Sequence, residues 1–168
     1  MKRELAYLKY ILRHKWYVAL GCIEMKVPLW RAVIHDWTKF TKREFMPYAN
    51  NFFTDDGKPI HSMRDRSGQY NPNDQPDAFK LAWVSHQRNK HHWQAWVSIG
   101  NAGTLTVLPM DEVSIREMIA DWIGAGRAIS GRRDPNPWYE ANKDKMLLHP
   151  KTRERLEELL KNAHGTVL

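Results

Sequence analysis

His35 and Asp36 stand side by side and are followed by Trp37, Thr38 and Lys39. An imidazole nitrogen and a carboxylate oxygen together can ligate a divalent cation. That mixed donor set suits Mn, Fe, Co, Ni or Zn better than the all-oxygen cages of Mg or Ca. Adjacent side chains on a helix diverge by about 100°, so the pair can serve one ion only at a helix end or in a groove lined by other helices. His14 lies in the preceding helical stretch. Asp121 lies in a later one, beside Ile119, Ala120 and Trp122. A carboxylate in that apolar company needs a cation, hydrogen bonds or a metal, and a salt bridge to Arg127 is the plainer alternative. His86 carries Trp83, Asn89, Lys90 and Trp93 on roughly its own side of a helix. His91 and His92 point elsewhere, so all three histidines can share one ion only if the helix is distorted. His86 is expected to face the metal. His91 and His92 are expected to contact a substrate phosphate or to complete a second ion site. Their plainer readings are a hydrogen-bonded core histidine for His86 and exposed polar side chains for His91 and His92.

These residues need helices to position them, and helix signals dominate. Leu5, Leu8, Ile11 and Leu12 recur at helical spacing, with Tyr7, Tyr10 and Trp16 beside them, up to Gly21. A second helix can start at Pro28 and carry Trp30, Val33, Ile34 and Trp37. Thr41 to Glu44 matches a capping box opening a third helix that runs to about Phe53. Residues 54 to 76 are rich in turn chemistry and are read as a flap or lid. A fourth helix is expected from Asp77 to about Ser98, stopped by Gly100 and Gly103, with Thr104 to Leu108 as a short extended piece. A fifth, capped by Asp111 or Ser114, holds Val113, Ile115, Met118, Ile119, Trp122 and Ile123, with Gly124 and Gly126 weakening its end. A short helix over Trp138 to Met146 and an amphipathic one after Pro150 complete the chain. No heptad run is long enough for a coiled coil. The expected architecture is a single all-α domain over residues 1–168, and most of the eight tryptophans are expected in its core.

The single cysteine, Cys22, excludes an intrachain disulfide and a thiolate zinc site, so any metal must be held by His, Asp, Glu or water. That usage points to a reducing, cytoplasmic setting, and no apolar run reads as a membrane span. A composition 42% hydrophobic and 27% charged is that of a globular protein. The net charge of +7 favours anionic ligands: nucleotides, nucleic acid or phosphorylated metabolites. Lys39, Arg88, Lys90 and Arg127 are the candidate phosphate binders, with ordinary solvent exposure as the alternative for each.

The order His14, His35-Asp36, Asp121 resembles the HD superfamily of helical, metal-dependent phosphohydrolases. That resemblance implies that these four residues bind the metal in an HD-like helical bundle, with Lys39 where many members carry a lysine. A narrower likeness is to an uncharacterised family of small phage and bacterial proteins. It is carried by Ile34 to Phe40, by Arg88-Asn-Lys-His-His-Trp93, by Met118 to Trp122 with Gly124 to Arg127, and by Leu148-His-Pro150. The expected activity is hydrolysis of a nucleotide or related phosphate ester by metal-activated water. Asp36 or Glu117, the latter one turn before Asp121, would orient that water. The rivals are a catalytically inactive HD-like module that binds or sequesters a nucleotide or nucleic acid, and a metal-free polar network.

Overall fold

Two glycines set a close contact between two helices. In the computed structural model, which describes residues 1–60 and 74–163, the long helix α1 (Lys2–Glu24) packs along α5 (Glu112–Ser130). A Cβ on Gly21 would lie 2.9 Å from the Ala120 carbonyl oxygen, and one on Gly124 would lie 2.4 Å from Val18 Cγ2. Gly21 does not end its helix, contrary to the expectation from sequence, and Gly124, expected to weaken the end of its own, lies inside it. Each instead lets the two backbones meet, because no side chain fits between them.

The remaining elements are α2 (Leu29–Ile34), α3 (Lys42–Phe52), α4 (Asp77–His86), strands β1 (Val97–Ile99) and β2 (Leu105–Val107), α6 (Asn136–Asn142) and α7 (Pro150–Ala163). The mainly α architecture agrees with the expectation; β2 lies in the stretch read as extended, while β1, its antiparallel partner, begins inside the span read as the fourth helix. Asp111 is the cap of α5, accepting from the Ser114 backbone N–H at 2.8 Å. Thr41 does not close a capping box, since its hydroxyl donates to the Thr38 carbonyl at 2.6 Å. Most of the flap reading, residues 61 to 73, lies outside the described residues. Among the described residues no helix is long and apolar enough to cross a membrane.

The core has two parts. Val18, Cys22, Ile115, Met118, Ile119, Tyr139, Leu156 and Leu160 fill one, between α1, α5, α6 and α7. Tyr7, Ile11, Tyr48, Ala49, Phe79 and Ala82 fill the other, an aromatic cluster between α1, α3 and α4. His14 sits on α1 between Ile11 and Val18, at the junction of the two. The buried face of α1 is thus Tyr7, Ile11, His14, Val18, Gly21 and Cys22, not the face of Leu5 and Leu12. Trp16, Trp30 and Trp37 are exposed rather than in the core.

Candidate metal centre

Breaks in two helices turn the polar side chains inward. The backbone leaves α2 at His35 (φ −50°, ψ 128°), and Asp36 follows in the left-handed region (φ 54°, ψ 22°). Aspartate is among the L-residues that enter this region at small cost. A helical turn here would separate His35 and Asp36 by 100°; the break buries both, each 1% exposed. The fourth helix similarly ends at His86, twelve residues before the sequence-based limit of Ser98. Tight turns follow, with the Asn89 N–H on the His86 carbonyl at 3.0 Å and the His92 N–H on the Asn89 carbonyl at 2.9 Å. This is the distortion that three convergent histidines require.

The result is two groups of donors that share one residue. His14, His35, Asp36 and Asp121 form the first, and Asp36, His86, His91 and His92 the second. In the first, His14 Nε2 is 3.3 Å from Asp36 Oδ2 and 3.2 Å from Asp121 Oδ1; His35 Nε2 is 3.5 and 3.4 Å from the same oxygens. In the second, Asp36 Oδ1 faces His86 Nε2 at 3.5 Å and His91 Nε2 at 3.3 Å, and His92 Nε2 lies 3.0 Å from His86 Nε2. Metal–ligand bonds of about 2.1 Å separate neighbouring donors by roughly 3.0 Å at right angles and 3.4 Å in a tetrahedron. The observed edges match that range. His14 Nε2, His35 Nε2, His91 Nε2 and Asp36 Oδ1 are buried without a hydrogen bond. Polar atoms left so inside a fold call for a missing partner, and a cation in each of the two groups fits all four.

Carboxylates behind the rings fix their orientation. Glu117 Oε1 accepts from His35 Nδ1 at 3.0 Å and lies 3.5 Å from His91 Nδ1, and Glu44 Oε2 accepts from His86 Nδ1 at 3.1 Å. Because carboxylates only accept, these contacts put a ring proton on Nδ1 and turn Nε2 toward the centre, where a cation that displaces any proton there can be ligated. His35, His91 and Glu117 also lie close enough to be read as a third ion site. Glu117 is already ion-paired with Arg31, however, so the hydrogen-bonded reading is the better one. Arg31 also donates to Ser114 Oγ at 3.1 Å. Glu117 therefore corrects the expectation that it orients water: it stands on the far side of His35 from the shared carboxylate.

The electrostatics agree with a cation site. Burial opposes a charged His35, yet the carboxylates of Asp36, Asp121 and Glu117 outweigh it and raise the imidazole to about 10. A field that binds a proton so firmly is one that attracts a metal ion. Burial likewise opposes ionisation of Asp36 and Asp121, but the facing histidines hold both carboxyls well below the usual range. His92 is shifted the other way: burial, then the neighbouring His91 and His86, keep it neutral and able to ligate. Burial pushes the Cys22 thiol up to about 12, an inert packing residue.

Residues 3–162 match DUF5662, a family of unknown function. The chain belongs to this family. No curated protein and no solved structure matches it. Of the candidate residues, His14, His35, Asp36, His86 and Asp121 meet at the centre as expected. His91 and His92 join them as donors to the second group rather than standing exposed. Lys39 is bonded through Nζ to Asp36 Oδ2 at the rim of the first group. Arg88 and Lys90 are exposed on the turn between His86 and His91. Arg127 does not pair with Asp121; it lies over the Tyr17 ring at 5.4 Å and 3.9 Å from Glu24. Glu44 was missed as a site residue because its position near a helix start reads as a cap, and Arg31 because nothing in its neighbourhood marks it.

Proposed function

We propose that the chain is a metal-dependent phosphohydrolase that cleaves a nucleotide or related phosphate ester with a pair of divalent cations. His14, His35, Asp36 and Asp121 would hold one cation, and Asp36, His86, His91 and His92 the other. The observation that carries this reading is Asp36, whose two oxygens face different sets of histidines. The nitrogen-rich donor set favours Mn, Fe, Co, Ni or Zn over Mg. A divalent cation in such a site lowers the pKa of bound water toward about 7 and so provides hydroxide at neutral pH.

The chain's own residues do the rest. Glu117 and Glu44 hold the rings with their lone pairs inward, so no reorientation accompanies the reaction. Lys39 is the ammonium beside the shared carboxylate and is placed to offset charge developing on phosphoryl oxygens. Arg88, Lys90 and the net charge of +7 draw an anionic ester toward the histidine turn. Among metal chemistries, the resemblance to the HD pattern points to phosphoryl transfer to water.

Elemental analysis of untagged protein after equilibration with Mn²⁺ is expected to find up to two ions per chain. The loaded protein is expected to release phosphate or nucleoside from a panel of nucleotides and phosphate esters. Asp36→Ala, with its helix content intact, is expected to lose both ions and turnover together. Ions without turnover on any ester would replace the enzyme with a nucleotide-binding module. Absence of any bound ion would overturn the metal reading and leave a polar network.

A further inference from the structure

Helix α1 is apolar on two opposite faces, and only one of them meets the core. Leu5, Leu12, Trp16 and Ile23 are spaced by seven, four and seven residues, which at 100° per residue sets them within about 20° of one line. They are 52%, 54%, 64% and 60% exposed, on the side of the helix away from the buried face of Tyr7, Ile11, His14 and Val18. Lys9 and the half-buried Ala19, which also touches the core, fill the gaps and complete the alternating four-three spacing of a helix-pairing seam. Lys15, next to Trp16, donates to the Val33 carbonyl at 3.0 Å and holds the last turn of α2 beside this seam. Trp30 and Val33 of α2 are themselves 62% and 73% exposed. At these exposures the side chains leave on the order of several hundred Å² of apolar surface open, the scale at which a surface patch marks an interaction site.

We infer that α1 is the interface of a homodimer, packed antiparallel against α1 of a second copy of this chain. The spacing 5, 9, 12, 16, 19, 23 reads the same in both directions about residue 14. A two-fold axis there puts Leu5 against the partner's Ile23, Leu12 against the partner's Trp16 and Lys9 against the partner's Ala19. The small Ala19 leaves room for the Lys9 stem, whose ammonium can reach water at the edge. A parallel pair would instead set Lys9 against the partner's Lys9 in the middle of the seam. The antiparallel pair keeps its like charges, Arg13 beside the partner's Arg13 and Lys15 beside the partner's Lys15, at the edges, where water and salt screen them. The seam is too short to hold together two isolated helices, but here α1 is already ordered by the core, so pairing costs little further chain entropy. The inference is independent of the metal site, which lies on the opposite face of α1.

Sedimentation of untagged protein at tens of micromolar is expected to give twice the 19.8 kDa chain mass. Trp16→Glu and, separately, Leu12→Glu are expected to weaken association at least tenfold, leaving helix content and melting temperature of the monomer unchanged. Orientation is read by oxidising Leu5→Cys and Ile23→Cys variants: the mixture is expected to cross-link, and neither variant alone. The native thiol, Cys22, is fully buried and does not interfere. A wild-type monomer at 100 micromolar, or a dimer unaffected by either glutamate, would overturn the interface. Cross-linking of Leu5→Cys with itself would overturn the antiparallel arrangement.

Discussion

Asp36 has each carboxylate oxygen committed to a different cluster of imidazoles, and the residues one layer out decide how firmly those imidazoles stand. Glu44 touches His86 alone, whereas Glu117 touches His35 of one donor group and His91 of the other. Outer carboxylates of this kind are worth about 10–100-fold in metal affinity. Glu44→Gln is therefore expected to weaken one of two binding steps by that factor in a calorimetric metal titration. Glu117→Gln is expected to weaken both. Equal, single-step effects of the two variants would remove the assignment of Glu117 to both groups. The candidate donors of the first group were legible in the sequence, because His beside Asp is a recognisable pair and Asp121 stands in apolar company, whereas His91 and His92 read equally well as exposed side chains. Glu44 was not, since its partner His86 is 42 positions away and only the fold brings them together.

Elements position these residues through breaks and close approaches. The left-handed Asp36 and the early end of α4 point side chains inward that continuous helices would have splayed apart. The contact of α1 with α5 fixes the distance from His14 to Asp121, and Gly124 permits that contact. Gly124→Ala must displace the Val18 backbone nitrogen, 2.7 Å from the new Cβ. Overpacking of that sort costs about 1–3 kcal/mol, against less than about 1 kcal/mol gained in helix propensity. A lower melting temperature and weaker metal binding are expected together; full metal affinity in this variant would mean the helix contact does not set the site. At the other end of α5, Glu112 accepts from Arg155 at 2.8 and 2.7 Å and from Arg116 at 2.7 Å, clamping α7. The Arg155 contact, opposed by burial and aided by Arg116, lowers the Glu112 carboxyl from 4.5 to about 2. A depressed carboxyl stabilises the fold above its unfolded pKa and ceases to do so as pH falls through its folded value. Glu112→Gln should thus melt lower than wild type at pH 6, by less than about 1 kcal/mol for so exposed a pair. The gap should close between pH 4.5 and 2, and a gap constant across that window would show that the clamp carries no charge-dependent stability.

At the scale of the molecule, the polar cluster lies where the aliphatic and aromatic halves of the core meet, so its occupancy bears on the stability of both. An ion that binds only the folded chain, at one hundred times its dissociation constant, stabilises by about 2.7 kcal/mol. For a domain of this length that corresponds to roughly 5–10 °C. Mn²⁺ or Zn²⁺ is expected to raise the melting temperature of chelator-treated protein by that amount, and Asp36→Ala to abolish the rise. An unchanged melting temperature across the metal series would count against the site as a whole. The net charge of +7 acts at this scale too, drawing anions from a distance without selecting among them.

The sequence by itself determined the helical class, since apolar spacing is a local property, and narrowed the candidate donors to histidines and carboxylates, since few residue types can ligate; which of His86, His91 and His92 face the cluster it left open. It also contained the outer seam of α1, but that pattern was indistinguishable from a core face while the burial of α1 was unknown. Leu5, Leu12 and Trp16 repeat as regularly as Tyr7, Ile11 and Val18. Only the tertiary structure decided which of those faces packs inward, where α2 and α4 stop, and which carboxylates stand behind which rings. Those outcomes depend on contacts between residues tens of positions apart, and local propensity does not encode them.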